Sequence, residues 1–242
     1  MPIIMRRRDI AGAGWPVTDN LHFLGFADND NNEFFDSTHM DLLFDESGNG
    51  RHATTASSGE IWEVTGSSEG LPCLRSAGTR LRYNDGTPLV TNNFSMFVVT
   101  ESDTQQTAIS GASGREIQLA RTEDANSPFI RNNANGVVVQ GGSPLTYDTD
   151  YNDRVSRSWA FVYGDTANVR TIYVSGVKTN EDGDTGWGGS PAGTFDLTLI
   201  MGSVEITNNR LLMIAIYENK RLNASEVSEL HTHIKDVLGL VA

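Results

Sequence analysis

From about residue 60 onward, apolar positions recur in short alternating or continuous runs, separated by clusters of Gly, Asn, Asp and Ser. The pattern predicts strands near Ile61–Val64, Arg80–Tyr83, Ser95–Thr100, Gln106–Ser110, Glu116–Ala120, Val137–Gln140, Trp159–Tyr163, Thr171–Ser175, Leu197–Met201 and Leu211–Tyr217. Breakers such as Asn84-Asp85-Gly86, Asn132-Asn133-Ala134-Asn135-Gly136 and Gly141-Gly142 lie between them. No helical periodicity is interleaved, which points to a sandwich or barrel rather than a parallel α/β sheet. The longest apolar runs, Met96–Val99 and Leu211–Ile216, suit central strands covered on both faces.

One helix is expected, and it comes last. Asn223 is a good N-cap, and Glu226 three residues on completes a capping box with Asn in place of Ser or Thr. Val227, Leu230, Ile234, Val237 and Leu238 then form one apolar stripe, and Gly239 stands where a C-cap belongs. With no internal repeat and no linker, residues 21–242 read as one domain. Residues 1–20 read as an N-terminal arm: Arg6, Arg7 and Arg8, then Gly and Ala, then Trp15-Pro16.

Composition adds bounds. A chain of 242 residues buries roughly 70–75% of its unfolded surface, so a core needs no staples. The formal charge of −13 argues against nucleic acid, whose phosphates are met by a surplus of Lys and Arg. That charge keeps a surface solvated and also supplies spare carboxylates for a hard cation such as Ca²⁺. No apolar run approaches the ~20 residues of a membrane-spanning helix. The single cysteine, Cys73, sits among apolar neighbours and reads as a core residue. Without a second cysteine no intrachain disulfide forms, which leans toward folding in a reducing compartment. The N-terminus places apolar residues before the basic ones, the reverse of a secretory signal, so no export signal is expected.

Two stretches resemble the concanavalin A-like lectin/glucanase superfamily, in its laminin-G-like branch. The first is Leu42-Leu43-Phe44-Asp45-Glu46-Ser47-Gly48-Asn49-Gly50-Arg51-His52-Ala53-Thr54, similar to the opening motif of an Asp followed by a Ser-Gly-Asn-Gly turn. The second runs from Ile214 through Tyr217-Glu218-Asn219 to Leu222 and Glu226, similar to the last core strand, its loop and its helix. A weaker match is Tyr173-Val174-Ser175-Gly176, with Leu199-Ile200-Met201-Gly202 as the strand end that follows. The resemblance spans roughly residues 40–240. It implies an all-β fold, a two-sheet antiparallel jelly-roll sandwich (concanavalin A-like) with a short C-terminal helix. It does not imply one function, because the family holds lectins, glycosidases, adhesion modules and virus structural proteins.

Candidate chemistry is sparse. A retaining glycosidase needs two carboxylates about 5 Å apart. The nearest string, Glu60-Ile61-Trp62-Glu63, puts its acids on opposite faces of a strand. Gly66-Ser67-Ser68-Glu69-Gly70 has the spacing of a nucleophile elbow but is followed by Leu71-Pro72-Cys73, where a helix is required. His231 and His233 stand two apart on the helix and cannot share a metal. Calcium ligands are conceivable at Asp45 with Asn49, and at Asp28 and Asp30 in the acidic stretch Asp28–Glu33. Plain turn chemistry, with Asn and Asp bonding their own backbone, explains the same loops. For a glycan, Trp187 in the Gly-rich loop Gly186-Trp187-Gly188-Gly189 offers a ring to stack on a sugar, with Asp182 and Asp184 beside it. The alternative is a Trp folded back over the sheet. Trp62 and Trp159 fall on predicted strands and read as core.

The residues and the resemblance together give three expectations. The first is a non-catalytic virion structural or surface protein, a bacteriophage capsid decoration or tail-associated component. Its basic arm (Arg6, Arg7, Arg8) would dock on other virion proteins or further copies of itself, after assembly in the host cytoplasm, and its sandwich would face outward. The second is a carbohydrate-binding module or adhesin, extracellular or on a cell surface. The third is a glycoside hydrolase. The first two make the chain a binder, not an enzyme, with no certain cofactor beyond a candidate Ca²⁺.

Overall fold

A computed structural model of the chain describes residues 14–29, 31–34, 39–55, 62–66, 70–76, 80–83, 93–102, 117–120, 129–133, 136–140, 145–147, 155–164, 169–182, 196–200 and 209–241. In chain order the strands are β1 (Leu21–Phe26), β2 (Glu33–Phe34), β3 (His39–Leu43), β4 (Ala53–Thr55), β5 (Trp62–Gly66), β6 (Pro72–Ser76), β7 (Arg80–Tyr83), β8 (Asn93–Ser102) and β9 (Ile117–Ala120). Then follow β10 (Phe129–Asn133), β11 (Gly136–Gln140), β12 (Leu145–Tyr147), β13 (Ser156–Gly164), β14 (Val169–Val174), β15 (Val177–Asp182), β16 (Asp196–Ile200) and β17 (Asn209–Glu218). The helix, α1 (Ala224–Asp236), closes the chain. Every strand ladder among the described residues is antiparallel, as the all-β sandwich expectation requires. No helix among them is long and apolar enough to cross a membrane.

The pairings resolve into two layers. One runs β1-β17-β8-β13-β14-β15. The other runs from β3, flanked by β2, through β4 and β5 to β7 and β6, and on through β16, β9, β10 and β11 to β12. Among the described residues, the pair of Leu211 with Leu74 joins the two layers.

The first layer is apolar on both faces, which is why its strands read as continuous runs. Alternation along β8 sends Phe97 and Val99 to one side and Phe94, Met96 and Val98 to the other, all essentially inaccessible. The side of Phe97 meets Ala160, Val162, Tyr173, Met213, Ala215 and Tyr217, and it is covered by Val227, Leu230 and Ile234 of α1. The opposite side carries Phe94 edge-on to Phe161, with ring centres 5.5 Å apart. There the second layer approaches closely. A β-carbon on Gly25 of β1 would fall 2.9 Å from Phe23 and 3.0 Å from Leu43 of β3.

The helix sits where its sequence places it. Asn223 is extended and accepts from the Glu226 amide at 3.0 Å, while the Glu226 carboxylate accepts from the Asn223 amide at 2.8 Å. The loop before it is fixed by Ser95, whose buried hydroxyl donates to Lys220 O and accepts from the Leu222 amide. Its two histidines face different neighbours. His231 Nδ1 lies 2.9 Å from Ser158 Oγ, and the His233 ring stands edge-on to Trp15. Burial first of all holds both imidazoles below their ordinary pKa.

Several expectations shift. Val237 is more than half exposed, because the helix ends on it as the C-cap and its side chain leaves the stripe. Trp15 and Val17, placed by sequence in the arm, pack into the core. The Trp15 indole donates to the Tyr217 hydroxyl at 2.8 Å, and that hydroxyl donates to Val17 O. The acidic stretch after Val177 forms β15, joined to β14 by a turn in which Ser175 and Gly176 both take positive φ. Cys73 and Trp159 are buried as expected. The strand expected at Gln106–Ser110 lies outside the described residues.

Gly25→Ala should lower stability by about 1–3 kcal/mol through overpacking, read by urea denaturation, and Leu43→Ala in the same chain should return part of the loss. An unchanged midpoint for Gly25→Ala would mean that the layers do not meet there.

Candidate functional site

The opening motif builds one well-defined turn. Asp45 is buried, and its two oxygens face four protein donors: the amides of Leu24 (3.0 Å), Ser47 (2.9 Å) and Arg51 (2.9 Å), and the Ser47 hydroxyl (2.8 Å). Asn49 reaches from the same turn, its side-chain amide donating to Leu21 O and His22 O. Gly48 and Gly50, both at positive φ, let the chain double back between them. Asp45 and Asn49 thus stand together, and both act here by tying the turn to the start of β1.

The preceding acidic stretch behaves alike. Asn29 accepts from the Asn31 amide in an Asx turn, and Asn32 donates to Phe26 O while accepting from the Phe44 amide. Asp28 is buried, and Asp30 lies outside the described residues. Among the described residues no three His, Cys, Asp or Glu side chains gather in a way that could hold a metal ion.

Sequence reasoning missed a polar group beside this turn. His22, buried on β1, has Nδ1 at 2.8 Å from the Glu218 carboxylate at the end of β17, and the Arg51 guanidinium reaches the same ring. Nothing in the residue pattern joins these three; the β1–β17 pairing brings His22 to Glu218, and the turn held by Asp45 brings Arg51.

The glycan candidates are divided. Asp182 is the last residue of β15, paired with Arg170 of β14. Asp184 and Trp187 lie outside the described residues, as do Arg6, Arg7 and Arg8. β15 ends at Asp182 in the first layer, and β16 begins at Asp196 in the second. Of the two acids in Glu60-Ile61-Trp62-Glu63, Glu63 lies opposite His39 and Arg75 in the ladders of β5, and Glu60 lies outside the described residues.

No protein-family model matches the chain, and no curated protein matches it by sequence. Its shape is similar to solved structures. The binding domain of Paraclostridial Mosquitocidal Protein 1 superposes with a TM-score of 0.65 at 13% identity, over 89% of this chain and 52% of that one. The receptor-binding domain of botulinum neurotoxin type G gives 0.63 at 12%, over 88% and 51%. Trypanosoma rangeli sialidase gives 0.57 at 14%, over 93% and 34%. The chain spans about half the length of the two toxin domains and about a third of the sialidase. At these identities the likeness establishes the fold alone, an all-β sandwich.

Asp45→Ala should cost about 1–3 kcal/mol for the orphaned Leu24 amide alone, measured by urea denaturation, and more than Asn49→Ala at the exposed tip. The wild-type midpoint should be the same in Ca²⁺ and in EDTA. A calcium-dependent rise that vanishes in Asp45→Ala would instead make this turn a metal site.

Proposed function

We propose that the chain is a non-catalytic recognition domain that binds carbohydrate through the connection between β15 and β16. The observation that carries this reading is the fold, shared over most of the chain with the binding domains of two toxins. Connections at the ends of a rigid sandwich are where such a scaffold places variable contacts. The stretch between Asp182 and Asp196 is long and Gly-rich. It combines an aromatic ring at Trp187 with carboxylates at Asp182 and Asp184, a set suited to a sugar's apolar face and its hydroxyls.

The sialidase likeness keeps a hydrolase as the competing reading, without residues to carry it, since the Glu60/Glu63 spacing opposes the two acids across a strand. A virion component would rest on the Arg6–Arg8 arm, and none of the similar structures named above speaks for it.

On a glycan array the intact chain should bind a restricted set of saccharides, and Trp187→Ala should weaken that binding at least tenfold, about 1.4 kcal/mol. A folded chain that binds no saccharide, or a Trp187→Ala chain that binds as before, would overturn the reading. Glycosidase turnover abolished by Glu63→Gln would restore the hydrolase.

A further inference from the structure

On the helix-covered face of the first layer, a cavity of about 290 Å³ opens between β13, β14 and the loop that leads into α1. That volume is at the small end of the ~300–1,000 Å³ usual for ligand pockets, suited to a single ring with a substituent. Its floor is Val162 and the Tyr173 ring, and Leu222 forms an apolar wall. The wall is rigid, because Ser95 holds the loop at both Lys220 and Leu222.

Three residues that line this space carry hydrogen-bond donors of different kinds. Tyr173 is only 6% exposed, yet its hydroxyl makes no hydrogen bond among the described residues. Burial raises its pKa above the ordinary phenol value, so it remains a donor at neutral pH. Arg221 is exposed at the rim, with no ion pair or hydrogen bond among the described residues. Ala224 lines the cavity as the first residue of α1. The capping box satisfies the amides of Asn223 and Glu226 and leaves that of Ala224 open, at the positive end of the helix dipole.

The acids nearby are already engaged. Glu226 pairs with Lys220 at 2.8 Å, which helps hold its carboxyl below the ordinary range against the opposing effect of burial. Glu181 accepts from Thr171 Oγ1 at 3.1 Å and lies 3.5 Å from Lys178 Nζ. Among the residues that line the cavity, Arg221 is the charged one.

We propose that this cavity binds a small carboxylate-bearing ligand, its anionic group meeting Arg221, the Ala224 amide and the Tyr173 hydroxyl, its ring lying on Val162 and Leu222. That the ligand is an acidic sugar residue rests on the carbohydrate reading above; the anion chemistry does not. Sequence reasoning had no access to the site. Tyr173 reads there as part of a hairpin strand and Arg221 as part of a loop, and only the docking of α1 on β14 brings them together.

Calorimetric titration of the intact chain with glucuronate, methyl glucoside and acetate tests the proposal. Glucuronate should bind, more weakly at higher salt, and methyl glucoside should not bind at this site. Tyr173→Phe keeps the ring and loses only the hydroxyl. Arg221→Gln removes the charge at an exposed position. Ala224→Pro deletes one amide where a helix accepts proline, behind an Asn223 whose φ of −85° and ψ of 170° suit the residue before it. Each should weaken glucuronate at least fivefold with the unfolding midpoint preserved. Glucuronate that does not bind, or binds all three variants as it binds the parent, would overturn the cavity. If it does so while array binding still depends on Trp187, the carbohydrate reading stands alone. Acetate binding as tightly as glucuronate, with a silent array, would keep the carboxylate site and remove the sugar.

Discussion

A sheet that is apolar on both faces must be covered twice, and this requirement organises the molecule. The layer built on β8 and β17 is sealed on one side by the second layer and on the other by α1. Val227, Leu230 and Ile234 are fully inaccessible, each contributing roughly 1.5–3 kcal/mol of burial. The helix is therefore structural cover, although it comes last in the chain. Its docking also creates the concave surface beside its N-terminus, so stability and the proposed anion site share one contact.

Legibility in the sequence follows the same logic. β8 and β17 stand out because strands covered on both faces are written as continuous apolar runs. Helix α1 was readable almost to the residue, because a capping box and an apolar stripe are local signals. β1 was missed because Gly25 interrupts its run, and the reason for that glycine is the approach of Leu43 from a distant strand. β15 was missed because Lys178–Asp182 is polar; the Ser175-Gly176 turn and pairing with β14 make it a strand. Turn chemistry at Asp45 was visible as one of two alternatives, while the Leu24 amide it serves was not.

The sites divide similarly. Trp187 could be singled out because a ring among glycines is a local pattern. Tyr173, Arg221 and Ala224 come from two elements far apart in sequence, so no spacing rule connects them.

Amide hydrogen exchange on the intact chain tests most directly whether α1 is part of that core. If the helix seals the sheet, amides of its buried turns should exchange in the same slow regime as Phe94–Val99 and Leu211–Tyr217, and all three segments should open together as denaturant is added. Rapid exchange in Val227–Ile234 while those two strands stay protected would show the helix to be peripheral, and the account built on its docking would fail.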